Sequence, residues 1–173
     1  MPPVRALVTG ATGRVGHSIA RALIERGDQV RALVREPGRA ASVLPPGVEA
    51  VRGDVTDPAT VERAAAGCEL VFNAMGLPEQ WFADPEVFER VNARGTDTVV
   101  RAAAQAGARR VVHTSTIDVF HAERGSEFDE SQVGPFKMQA TIGAFRQSHS
   151  RPVFLTPVRD CLLYTSPSPR DRS

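Results

Sequence analysis

Short apolar runs alternate with amphipathic stretches along residues 1 to about 120 of the chain. Val4-Arg5-Ala6-Leu7-Val8 is an apolar run that ends at Gly10. From Val15, apolar residues recur at helical spacing: Val15, Ile19 and Leu23, with Ala22 and Ile24 beside them. Gly27 closes that helix as a C-cap, and Asp28 follows. Val30 to Val34 reads as a second strand, and Pro45-Pro46-Gly47 as a turn before a third, Val48 to Val51. Asp57 is placed to N-cap a helix with Pro58 in its first turn. Leu70-Val71-Phe72 is the fourth strand, Val87 to Gln105 a long helix stopped by Gly107, and Arg110 to Thr114 the fifth strand. Strand and helix in repeated alternation predict an α/β fold, a doubly wound parallel sheet covered on both faces.

That layout gives Thr9-Gly10-Ala11-Thr12-Gly13-Arg14-Val15-Gly16 a particular place. It joins the first strand to the first helix, where doubly wound folds bind phosphate. Gly10 allows the tight turn, Gly13 lets the backbone approach a pyrophosphate, and Gly16 lets the helix pack close. The helix N-terminus offers unpaired N–H groups and partial positive charge.

Composition narrows the picture by exclusion. With 173 residues, 42% hydrophobic and 24% charged, the chain fits one globular domain, with room for little more. A net charge of +1 argues against bulk capture of nucleic acid or a membrane surface. Cys68 and Cys161 have neither metal-ligand spacing nor a disulfide framework, and no metal site is expected. Cys68 fits better as a small buried hydrophobe than as a reactive thiol. No apolar run approaches the roughly 20 residues of a membrane span, and no signal peptide precedes the first strand, so the expected location is cytoplasmic.

The loop spacing is Gly-x-x-Gly-x-x-Gly, and four further stretches follow it. They are Gly53-Asp54-Val55, Asn73-Ala74-Met75-Gly76, Val91-Asn92-Ala93-Arg94-Gly95-Thr96, and His113-Thr114-Ser115-Thr116-Ile117-Asp118-Val119-Phe120. In this order the chain resembles the extended short-chain dehydrogenase/reductase superfamily, the NAD(P)-dependent epimerase/dehydratase group, over roughly residues 4 to 133. The resemblance implies a Rossmann-type fold. It places Asp54 and Val55 against the adenine, Asn73, Ala74 and Met75 under the nicotinamide ribose, and Thr116, with Ser115 as runner-up, at the substrate oxygen. NAD-binding members carry an acid at the end of the second strand; here Leu33-Val34-Arg35-Glu36 stands there. Arg35, with Arg14 and more weakly Arg39, fits the extra phosphate of NADP, which a guanidinium binds with two hydrogen bonds. Glu36 could instead serve a ribose diol, leaving NAD as the alternative.

The resemblance implies hydride transfer at a sugar-nucleotide, steroid or flavonoid-like hydroxyl or carbonyl. Its general acid/base is a Tyr, with a Lys four residues later to lower a pKa ordinarily about 10. That Tyr-x-x-x-Lys is missing. After Phe128-Asp129-Glu130-Ser131 the chain runs Gly134-Pro135-Phe136-Lys137-Met138-Gln139, with no Tyr four residues before Lys137. His149 is the nearest titratable substitute and reads better as a solvated loop residue. Natural loss, a deletion, and a frame slip near residue 134 all account for the gap. In the slip reading, codons for Gly143-Ala144-Phe145-Arg146 can be chosen so that the next frame reads Glu-Arg-Ser.

Cys161 to Asp171 matches, residue for residue, the translation of a transposon-type sequencing-library adapter. Residues 161–173 are therefore expected to be non-native and are set apart from the fold, the only Tyr, Tyr164, among them. The expected organisation is a dinucleotide-binding domain over 1–160, with 134–160 of doubtful register, and a C-terminal substrate domain missing. Arg151 to Val158 is a candidate sixth strand. Trp81-Phe82 would either border substrate or pack on the long helix. Asp118 matches no acidic pair of the dehydratase members. Two functions follow: an NADP-dependent oxidoreductase or epimerase acting on a small molecule, of which this is an inactive fragment and whose parent is a homodimer, or a non-catalytic NADP-binding sensor of the NmrA-like type.

Overall fold

Six strands lie side by side in one parallel sheet, with helices on both faces. The computed structural model describes residues 2–77, 86–114 and 153–156. The strands are β1 (Arg5–Thr9), β2 (Gln29–Val34), β3 (Glu49–Arg52), β4 (Leu70–Asn73), β5 (Arg110–Thr114) and β6 (Val153–Thr156). The helices are α1 (Arg14–Glu25), α2 (Pro37–Ala40) and α3 (Pro58–Ala65). A last helical run comprises α4 (Glu86–Phe88), a π-helical segment (Glu89–Arg94) and α5 (Gly95–Gln105). Strand order is β3-β2-β1-β4-β5-β6, so the winding reverses between β1 and β4. The sixth strand lies within its candidate stretch, with Val153 opposite Val111.

Apolar alternation sorts the side chains of β1 between two cores. Ala6 and Val8 join Ala20 and Leu23 of α1, with Val30, Ala32 and Val34 of β2. Leu7 joins Val61 of α3, Val71 of β4, Val99 of α5 and Val111 of β5. Leu7, Val61, Val71, Val99 and Val111 are all fully buried, each contributing about 1.5–3 kcal/mol of transfer free energy. Ala6, Leu7 and Val8 pack into one core or the other, which is why the middle of β1 reads as an unbroken apolar run.

Three local features differ from the sequence pattern. The buried face of α1 is Gly16, Ala20 and Leu23, whereas Ala22 is exposed and Val15 and Ile19 are half-buried. Small residues let α1 lie close to the sheet, so the larger ones fall at its flanks. Helix α2, with Pro37 at its start, occupies the connection after β2, where the apolar pattern predicts no element. The long helix forms over its expected span but passes through the π-helical segment. Asp57 caps α3 as its type and place suggest, accepting from the Ala59 N–H at 3.1 Å.

Candidate functional site

Ligands of open α/β sheets bind at the carboxyl ends of the strands, where the winding reverses. Here that point lies between β1 and β4, and the loops leaving these strands meet there. Gly10 takes φ +70°, and a Cβ on it would stand 2.5 Å from the Ala74 carbonyl oxygen. The two loops therefore touch backbone to backbone, an approach no side chain permits. A Cβ on Gly16 would collide with the Gly10 carbonyl and the Ala11 Cα. Gly16 thus packs α1 against its own loop, closer than the sheet contact its position suggested.

Gly13 differs from both. Its Cβ would meet only the Gly10 carbonyl oxygen, at 3.3 Å, and its backbone is extended. It is the N-cap of α1 and gives the helix no side-chain cap. The first-turn N–H groups, those of Arg14, Val15 and Gly16, have no side-chain acceptor. Open space above a glycine, beside uncapped amides at the positive end of a twelve-residue helix, fits a diphosphate. Thr12 and Arg14 are exposed at this mouth, and Val15 is half-buried.

Beneath the mouth lies a buried polar row. Thr9, Asn73 and His113 are register partners on β1, β4 and β5, each two residues beyond the fully buried Leu7, Val71 and Val111. The Thr9 hydroxyl donates to Asn73 Oδ1 at 2.5 Å. Asn73 Nδ2 reaches Thr96 Oγ1 at 3.3 Å and His113 Nδ1 at 3.1 Å. Thr96 donates onward to the Asn92 carbonyl at 2.6 Å, so its oxygen is left to accept from Asn73. That ordering makes His113 Nδ1 an acceptor on a neutral ring. Burial pushes the His113 imidazole below its ordinary value, opposed in part by a hydrogen bond with the Asn73 backbone.

The side chains of Thr9 and Asn73 are thus spent inside the fold, and both residues are fully buried. Ala74 and Met75, by contrast, are half-buried at the crevice. Their loop is held from above by Asn92 of the π-helical segment, whose Oδ1 accepts from the Leu77 N–H at 2.7 Å and whose Nδ2 donates to the Leu77 carbonyl at 3.2 Å. His113 and Asn92 both lie in the motif stretches, but the motifs assign neither of them a contact. The signal for His113 was parity: two residues beyond Val111, it must face α5.

The residues expected to bound an adenine lie beyond β2 and β3. Asp54 is half-buried, and its carboxylate accepts from both the N–H and the hydroxyl of Thr56. Val55 is buried in the core, where a Cβ on Gly95 would meet its Cγ2 at 2.9 Å. Arg35 is exposed and lines an open pocket of about 530 Å³ with Arg52, Gly53, Asp54, Asp57, Thr60 and Arg63. Arg14 and Arg39 do not line it. Ser115, Thr116, Asp118, Trp81, Phe82, Lys137, His149 and the 161–173 tail lie outside the described residues. Cys68 is buried, and burial pushes its thiol up. Among the described residues there is no cluster fit to hold a metal ion, and no helix long and apolar enough to cross a membrane.

Comparison with known proteins agrees with this geometry. A family model described as NAD(P)H-binding matches residues 10–149. Over 113 residues the chain is 39% identical to a 4-hydroxy-2-methyl-3-oxo-4-farnesyl-3,4-dihydroquinoline-1-oxide ketoreductase of Stigmatella aurantiaca, covering 65% of this chain and 34% of that one. Over 118 residues it is 37% identical to a 2-alkyl-3-oxoalkanoate reductase of Stenotrophomonas maltophilia, covering 68% and 35%. A short-chain dehydrogenase/reductase superfamily protein of Agrobacterium tumefaciens, solved with bound NAD, superimposes with a TM-score of 0.73 at 25% identity, covering 87% and 48%. The chain thus spans about a third of the length of these two relatives and about half of the solved structure.

Proposed function

We propose, from the premise that this chain belongs to the extended short-chain dehydrogenase/reductase superfamily of NAD(P)H-binding proteins, that it is the cofactor-binding part of an NADP(H)-dependent oxidoreductase. The observation that carries the proposal is the open Gly13 backbone beside the uncapped start of α1, at the reversal of the sheet. The substrate we propose is a small, largely apolar molecule bearing a ketone or secondary hydroxyl. Support comes from the relatives above, named as reductases of a farnesylated quinoline oxide and of an alkylated oxoalkanoate. A steroid fits that description better than a sugar nucleotide does.

The nicotinamide group supplies or accepts the hydride when bound. Gly10, Gly13 and Gly16, with the amides of Arg14 and Val15, would hold the pyrophosphate, with Thr12 at the same mouth. Asp54 and Val55 would bound the adenine through their backbone, since the Asp54 carboxylate already serves Thr56 and Val55 faces the core. Ala74 and Met75 would lie under the nicotinamide ribose, with Asn73 and Thr9 fixing their loop from below. Arg35 favours NADP over NAD because an exposed guanidinium with no acidic partner suits a phosphomonoester. Thr116, with Ser115 beside it, would orient the substrate oxygen at the end of β5.

Without a Tyr-x-x-x-Lys the chain as written binds cofactor but does not turn it over. The missing Tyr also favours a second reading, a non-catalytic NADP-responsive sensor. A cytoplasmic location and a homodimeric parent complete the proposal. Titration of the purified chain with NADPH and with NADH, followed by nicotinamide fluorescence, tests the cofactor. NADPH is expected to bind at least tenfold more tightly, about 1.4 kcal/mol; equal affinities, or no binding, overturn the assignment. Robust NADPH oxidation with a ketone substrate would refute the absence of turnover.

A further inference from the structure

The arginines at the two ends of the sheet differ. At the amino-terminal ends of the strands they are matched: Arg5 with Gln29, Arg26 with Asp28, Arg31 with Glu49, and Arg109 with Glu69. Around the carboxyl ends of β2 and β3 they are not. Among the described residues, Arg35, Arg52 and Arg63 make no side-chain hydrogen bond or ion pair, yet they share one pocket. The two acids in that pocket do not compensate them. Asp54 is committed to the Thr56 N–H and hydroxyl, and Asp57 to the cap of α3.

The placement is fixed by backbone, not by chance rotamers. Val34 and Arg52 are register partners, and the Gly53 N–H donates to the Val34 carbonyl at 2.9 Å, so the strands stay paired up to Arg35. Helix α3 is latched onto this corner by Thr60. Its hydroxyl oxygen accepts from the Asp54 N–H at 3.1 Å and lies within donating distance of the Asp54 and Asp57 carbonyls. Gly53 leaves the room for it, since a Cβ there would meet Thr60 Cβ at 2.8 Å. Arg63 follows Thr60 by three residues and so lies on the same face of α3.

We infer that Arg52 and Arg63 are cofactor-selecting residues. With Arg35 they form a receptor for a dianionic phosphomonoester, the one carried on the adenosine ribose of NADP. Three guanidiniums from three different elements surround such a group, each offering a fork of N–H donors. This rests on the cofactor assignment above but places the selecting charge on β3 and α3 as well as after β2.

The test separates the two ideas. NADPH, NADH and 2′,5′-ADP are titrated against the purified wild-type chain and against R35A, R52A, R63A and the R52A/R63A pair. R52Q and R63Q retain side-chain bulk, and circular dichroism confirms that each variant is folded. The expected result is a fall of about tenfold in NADPH and 2′,5′-ADP affinity for R52A or R63A, about 1.4 kcal/mol. The pair should lose more, and NADH binding should stay within twofold throughout. A wild type without preference for NADPH overturns both the cofactor assignment and this inference. A wild type that prefers NADPH, loses the preference in R35A and keeps it in R52A/R63A overturns the inference alone.

Discussion

Thr9 donates to Asn73 across the junction of β1 and β4, and the bond sits where both strands turn into the loops that meet at the crevice. Asn73 distributes that contact further, to Thr96 on α5 and His113 on β5. One fully buried amide thus ties three strands and a helix together directly beneath the cofactor mouth. A buried network of this kind rigidifies only while every member is satisfied.

N73A strands a threonine hydroxyl, a second threonine oxygen and a ring nitrogen in the core. It should cost about 2–3 kcal/mol in urea unfolding. T9V removes one partner only and should cost about 1–2 kcal/mol. Equal losses for the two variants would contradict the central place given to Asn73.

His113 makes the network sensitive to acid. Its folded-state pKa is depressed by burial below the ordinary 6.5. The unfolded chain therefore takes up the proton first as pH falls. The contribution is fully present above the unfolded value and is lost as pH drops through 6.5 toward the folded one. Unfolding midpoints measured between about pH 7.5 and about pH 5 should decline, and H113Q, which keeps an acceptor but cannot titrate, should flatten that decline. A wild-type midpoint that rises on acidification would reverse the sign and sink the argument.

Gly13 and Gly16 should separate binding from folding. G16A drives a methyl into the Gly10 carbonyl and should lose about 2–3 kcal/mol of stability. G13A meets one atom at 3.3 Å with an ordinary backbone and should shift stability by less than about 1 kcal/mol. Dinucleotide affinity should nevertheless fall about tenfold in G13A. Calorimetry of both variants, with and without cofactor, reads the two effects independently.

Asn92 should control how firmly the loop after β4 is held. N92A removes both hydrogen bonds to Leu77, so the Leu77 amide should exchange with solvent faster than in the wild type, by a factor consistent with about 1–2 kcal/mol. N92D retains the acceptor for that amide and should fall between. Unchanged exchange in N92A would mean that the loop is held by other contacts.

Much of this arrangement was legible in the chain. Apolar runs located the first five strands because the middle positions of β1, β4 and β5 pack into the cores, with Leu7, Val71 and Val111 fully buried. Gly10, Gly13 and Gly16 announced the crevice: only glycine survives the backbone contacts at Gly10 and Gly16, and Gly13 leaves the mouth between them open. What pattern alone hides is partnership. Thr9 and Asn73 belong to the glycine loop and to the stretch that the resemblance places under the nicotinamide ribose, and in the fold their side chains also bond each other. Nothing in the sequence pattern marks Arg52 or Arg63, and only the pairing of β2 with β3 and the Thr60 latch bring them to Arg35. Thr116 and Ser115 begin one residue beyond the last described residue of β5, so their chemistry rests on the motif itself.

The π-helical segment from Glu89 to Arg94 carries a consequence for how this fold tolerates changes in length. A π turn is an α-helix that has absorbed an extra residue. Deleting one residue there would let the helix run as regular α from Glu86 to Gln105, a locally easier geometry. Because the turn absorbs its extra residue, the turns on either side would keep their phase, but the residues inside the segment would rotate relative to α5. Asn92 would then lose its hold on Leu77. The irregular turn is thus a spacer, whose single surplus residue sets the phase between a helix anchored in the core and a side chain aimed at the crevice.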